Sequence, residues 1–141
     1  MNRKVMLLLI LLIGISICGA IVIHEFFPHI YAIATSIGEI NSNPSAWVNK
    51  MVAVEGKLVG PMGFIPETTP PWNYDLFGSN ETIETIGRKG AVIIGILWDY
   101  QDHYSFENTR VVGVVREGHW LYLYGEQPVC YYIEAKKIDR L

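Results

Sequence analysis

One stretch near the start of the chain constrains everything that follows. Val5 to Ile23 reads VMLLLILLIGISICGAIVI, nineteen residues without a charge. As a helix rising 1.5 Å per residue, such a run spans about 28 Å, the hydrocarbon thickness of a bilayer. A cleaved secretory signal has a shorter apolar core, about 7 to 15 residues, followed by a small-x-small site. Here the run continues through Gly19 and Ala20 to Ile23, so the expectation is an uncleaved anchor. Ile15, Ser16 and Ile17 precede Cys18, and the small residue expected just ahead of a lipidated cysteine is missing.

Arg3 and Lys4 flank the run on one side and His24, Glu25, Phe26 and Phe27 on the other. The positive-inside bias then places residues 1–4 in the cytoplasm, residues 5–23 across the bilayer and the remainder outside. Residues 24–43 are expected as a juxtamembrane segment and residues 44–141 as one exported domain. Phe26, Phe27 and Tyr31 fall near headgroup level. His24, Glu25 and His29 do not make the zinc pattern HExxH. The second histidine follows the first by five positions, which places the two on different helix faces.

From Pro28 onward there are nine Lys and Arg against thirteen Asp and Glu. That acidic balance argues against duplex nucleic acid, whose binding depends on Lys and Arg displacing counterions from phosphates, and against anionic headgroups. Half of all residues are hydrophobic, enough for a buried core. The two cysteines are Cys18, within the apolar run, and Cys130. They are too differently placed to be bridged, and Cys130, beside Val129, Tyr131 and Tyr132, reads as a buried thiol.

In the domain, Ile30, Ile33, Ala34, Ile37 and Ile40 recur at helical spacing and predict a short amphipathic helix that ends near Asn41 to Pro44. Met51 to Val59 alternates with a period of two, as in a strand with one buried face. Gly60 to Pro71 is expected as a loop, Trp72 to Phe77 as a second strand and Ala91 to Trp98 as a third. Arg110 to Arg116 follows, with Gly113 marking a bulge or bend. Glu117 and Gly118 are expected to turn the chain, Trp120 to Tyr124 to extend a hairpin, and Val129 to Ile138 to form the last strand. Asn80, Glu81 and Thr82 form a glycosylation sequon in the turn after the second strand.

About five short strands separated by turn signals, with glycines inside them, fit a mainly β fold: a small curled barrel after one transmembrane helix and a short amphipathic helix. The run IGEINSNPSAWVNKMVAVEGKLV, with Asn43-Pro44, Trp47, Lys50 and the V-x-V-x-G of Val52, Val54 and Gly56, resembles the start of many OB-fold domains. The resemblance covers about Ile37 to the C-terminus. It implies a five-stranded OB-like barrel, with Tyr74 to Phe77, Ala91 to Trp98, Val111 to Val115 and Tyr131 to Ile138 as its second to fifth strands.

OB-folds commonly bind ligands on the face of the second and third strands and in the neighbouring loops. The resemblance therefore points to Trp72, Tyr74, Trp98 and Tyr100 as a platform for a protein or small-molecule partner. Single-stranded nucleic acid is an alternative ligand, but Asp99, Asp102 and Glu107 in the adjoining loop would repel a phosphate backbone. Asp99, Asp102 and His103 are also the densest set of potential metal donors, at a spacing that matches no EF-hand or zinc pattern. The anchor-then-barrel layout is similar to that of the haem chaperone of cytochrome c maturation. That family's His or Cys followed four residues later by Tyr is not found here, since Glu107, Leu123 and Glu134 stand four residues after His103, His119 and Cys130. No catalytic motif and no cofactor signature is present, so the expectation is a binding module without a cofactor, not an enzyme.

Overall fold

The computed structural model describes residues 3–26, 30–61, 68–82, 92–99, 104–122, 125 and 127–141. The apolar run forms α1 (Arg3–Phe26), 24 residues and about 36 Å long. Its window Val5–Val22 has a mean hydropathy of 3.0, and none of it is buried against the rest of the protein. The helix is therefore long and apolar enough to cross a membrane, and among the described residues no protein surface covers the side chains of Val5–Val22.

Five strands close into a barrel: β2 (Met51–Gly60), β4 (Tyr74–Phe77), β5 (Ile93–Leu97), β6 (Tyr104–His119) and β8 (Val129–Arg140). Their order around the barrel is β2-β4-β5-β8-β6, and β6 returns to β2. Every neighbouring pair is antiparallel except β5 with β8, where Gly95, Ile96 and Leu97 run parallel to Tyr132, Ile133 and Glu134. The closing seam is long, from Met51 opposite Val114 to Gly60 opposite Tyr104.

The period-two pattern decides which residues fill the interior. Val52, Val54 and Leu58 of β2 point inward with Leu76, Ile94, Ile96, Val111, Val115 and Ile133. The bend expected at Gly113 is present as a shift of register between Val112 and Gly113 against β8. A side chain at 113 would collide with the Glu134 carbonyl oxygen and lie 2.8 Å from the Cα of Ala135, so only glycine permits this approach.

Two local expectations are corrected. The helix expected from Ile30 to Ile40 exists only as α2 (Ile37–Ser42), and its first part is instead β1 (Ile33–Thr35). β1 runs parallel to β2, with Ile33 opposite Val52 and Thr35 opposite Val54, because β4 covers that edge of β2 only from Lys57 to Val59. The vacant part of the edge takes up the nearby chain. Ser36 then caps α2 reciprocally with Glu39, and Ile37 and Ile40 join the barrel core. A 3-10 turn, Pro44–Trp47, leads into β2.

The second correction concerns Glu117 and Gly118, which continue β6 opposite Tyr131 and Cys130 rather than turning the chain. Pairing along β8 overrides the local turn signal. Gly118 serves close approach, since a Cβ there would lie 3.0 Å from the Tyr132 ring and 3.2 Å from Pro71. β7 (Leu121–Tyr122) then pairs with β3 (Thr68–Thr69) in a separate two-stranded ribbon. Cys130 is buried and not disulfide-bonded, and burial pushes its thiol up from the ordinary range.

Candidate functional site

The alternation that builds the core also sorts the aromatic candidates. In β4, Tyr74 and Leu76 face inward, and Tyr74 is 0% exposed. Its ring belongs to the barrel core, while Asp75 between them points outward. Trp72, two residues before the strand, lies on the outer face of the sheet over Gly95. A Cβ at Gly95 would sit 2.5 Å from Cγ of Trp72 and closer still to two further ring carbons. The indole can rest on the sheet only because β5 carries no side chain at that point.

Two further rings meet Trp72 there. Trp120, just past β6, stands edge-on to it with centroids 5.1 Å apart and an interplanar angle of 81°, and Tyr132 of β8 lies tilted at 6.2 Å. The Trp72–Trp120 pair has the edge-to-face geometry that aromatic quadrupoles favour. The Trp72 indole Nε1 donates to Oδ1 of Asp75 at 3.0 Å. Burial pushes the Asp75 carboxyl above its ordinary value, and the indole hydrogen bond offsets part of that rise.

Together these groups border a groove of about 320 Å³ on the β4–β5 face, lined by Trp72, Asp75, Trp120 and Tyr131 with Asn41 and Ile93 on its margin. Asn41 reaches it from α2, its Nδ2 donating to the Ile93 carbonyl oxygen at 2.9 Å. Among the described residues, Asp75 is the one charged side chain in the lining. Tyr131 is opposite Glu117 and bonded to it. Burial, followed by that neighbouring carboxylate, raises the phenol above its usual range.

Trp98 occupies a different position. It packs against the core and lines a second groove of about 330 Å³ with Leu97, Asp99, Glu134 and Lys136. Asn73 pins the backbone of Trp98, its Nδ2 donating to the Trp98 carbonyl oxygen at 2.6 Å and its Oδ1 accepting from the Trp98 N–H at 2.9 Å. The carboxylate in this second groove is already satisfied. Glu134 accepts from Arg116 Nε at 2.7 Å and from Lys136 Nζ at 3.0 Å, and these partners hold it below the usual carboxylate range. The first groove combines aromatic walls with a carboxylate that has, among the described residues, one neutral donor, which makes it the better-equipped site.

Of the other candidates, Asp99 is exposed, while Tyr100, Asp102 and His103 lie outside the described residues. No three His, Cys, Asp or Glu side chains converge among the described residues. His119 is exposed, with Nδ1 3.1 Å from the Gln127 carbonyl oxygen. Asn80 sits exposed in the turn after β4.

Sequence reasoning missed Trp120, Asp75 and Gly95 as partners of Trp72. Gly95 did carry a signal, since a glycine inside the β-branched run AVIIGILW marks close approach by another group. Trp120 carried none, because 48 positions separate it from Trp72 and only barrel closure brings them together. No protein-family model matches this chain, and no curated protein matches it.

Proposed function

We propose that this chain is a membrane-anchored OB-fold binding module, with its N-terminus in the cytoplasm and its barrel on the outer face, that takes a ligand in the groove between Trp72 and Trp120. The observation that carries this reading is the seating of Trp72 over Gly95. A bulky indole is held half-buried on an outer sheet surface beside a second tryptophan, at the cost of a side chain in the middle of a strand. Such a groove gives a ligand preformed apolar walls and a fixed polar group.

The OB-fold assignment is supported by the strand order, in which the third and fifth barrel strands, β5 and β8, run parallel and the fourth pairs with the first. The groove faces outward from the second and third barrel strands, β4 and β5, and is closed on one side by Trp120 from the connection between the fourth and fifth. OB-folds bind ligands on that face. The orientation is supported by Arg3 and Lys4 on the N-terminal flank of α1. Single-stranded nucleic acid fits the groove poorly, because its charged group is a carboxylate and no Lys or Arg lines it among the described residues.

Two measurements test the reading. Protease added to intact cells should remove the barrel and leave the anchor. In ¹⁵N-labelled full-length protein titrated with small sugars, amines and nucleotides, at least one probe should shift the indole N–H resonances of Trp72 and Trp120. Probes that move other resonances and leave these two untouched would overturn the groove, and a protease-resistant barrel would overturn the orientation.

A further inference from the structure

The chemistry of the groove selects among ligands. A carboxylate can accept about four hydrogen bonds, and among the described residues Asp75 accepts one, from the neutral indole of Trp72 at 3.0 Å. The side chain is half-buried, so water compensates it incompletely, and no cation lies among the described residues that line the groove. The lining includes Trp72, Trp120 and Tyr131, aromatic rings whose faces carry negative quadrupole charge. Glu117, bonded to Tyr131, adds a second negative group near the rim. Outside the anchor the chain is acidic as a whole.

Each of these features has the same sign. An anion meets repulsion from Asp75 and from the ring faces. A neutral polyol can hydrogen-bond to the carboxylate but makes no use of its charge. A cation with an apolar periphery uses the charge, the ring faces and the apolar wall together. Resting on the reading of this groove as the binding site, we infer that its ligand presents an organic ammonium group, seated against Trp72, Trp120 and Tyr131 with its charge on the Asp75 carboxylate. The groove volume of about 320 Å³ suits a head group or a single side chain.

The test uses the full chain in a non-ionic detergent, followed by the indole N–H resonances of Trp72 and Trp120. Choline represents a quaternary head group, Nα-acetyl-lysine amide a lysine side chain of a partner protein, and 3,3-dimethylbutanol is choline's neutral isostere. At least one of the two cations should shift both indoles, with at least tenfold higher affinity than the neutral isostere. Whichever cation binds more tightly identifies the source. Asp75→Asn, which keeps the acceptor for the Trp72 indole, should lower that affinity about tenfold or more while the unliganded spectrum stays folded.

Equal affinity for choline and 3,3-dimethylbutanol, or an unchanged affinity in Asp75→Asn, would overturn the inference and leave the groove standing as an apolar site. The same holds if a neutral sugar shifts both indoles and neither cation does. If none of these probes moves either indole, the groove reading itself falls with the inference.

Discussion

Replacing Gly95 by alanine should unseat Trp72, and the structure gives the size of the effect. The added methyl would stand 2.5 Å from Cγ of Trp72 and nearer to two other ring carbons, about 1 Å inside ordinary van der Waals contact. The β5 backbone cannot retreat, because Gly95 is paired with Asp75 on one side and Tyr132 on the other. The indole must move instead. It then loses its edge contact with Trp120, worth about 0.5 to 1.5 kcal/mol, and its hydrogen bond to half-buried Asp75, worth about 1 to 3 kcal/mol. The expected total is about 1.5 to 4.5 kcal/mol, which for a domain of this size lowers Tm by about 6 °C or more. Thermal unfolding of the detergent-solubilised chain measures that cost, and near-ultraviolet circular dichroism reports the loss of the Trp72–Trp120 pair. The decisive control is the same substitution in a Trp72→Ala background, where the methyl has nothing to strike and the cost should fall below about 0.5 kcal/mol. A cost under 0.5 kcal/mol in the wild-type background, or an equal cost in both, would refute the proposed role of Gly95.

Three further outcomes follow from other parts of the barrel. Asp75 has a carboxyl raised in the folded state, so its contribution to stability is complete below the unfolded pKa and is lost as pH rises through the folded value. Asp75→Asn should therefore hold or raise Tm at pH 7 and flatten the decline of Tm above the acid range, as seen in a pH series of melts. Glu134 is lowered by Arg116 and Lys136, so its contribution is present above the unfolded pKa and fades as pH falls through the folded one. Glu134→Gln should remove part of the acid destabilisation, measured in the same series. Asn73→Ala deletes both hydrogen bonds that hold the Trp98 backbone and should cost about 2 kcal/mol by chemical denaturation.

The parts of this protein that were legible in the sequence are those set by neighbours along the chain. The apolar run from Val5 to Ile23 became α1 because nothing interrupts it for about five turns of helix. Val52, Val54 and Leu58 announced the inner face of β2 through a period that belongs to the strand itself. Gly113 marked a bend because a glycine among β-branched residues has few other uses. By contrast, the spacing of Ile30, Ile33, Ile37 and Ile40 fits a helix on paper, and the chain forms a three-residue strand, Ile33–Thr35, in the middle of it. The deciding partner, the uncovered edge of β2 at Val52 to Val54, lies about twenty residues further on. Glu117 and Gly118 misled in the same way, since β8 extends the pairing past a local turn signal.

The candidate site was less legible still. Sequence placed Trp72 near it, but Tyr74 opens β4 on the inner face with Leu76, whereas Trp72 precedes the strand, escapes its alternation and lies on the outer face. The sequence by itself determined one long apolar helix, an alternating strand pattern and an acidic, aromatic-rich composition, because these depend on local periodicity and on residue counts. Only the tertiary structure decided that Trp72, Trp120, Asp75 and Gly95 share one surface. Their meeting depends on how five strands are ordered and staggered when the sheet closes, and no spacing along the chain encodes that arrangement on its own.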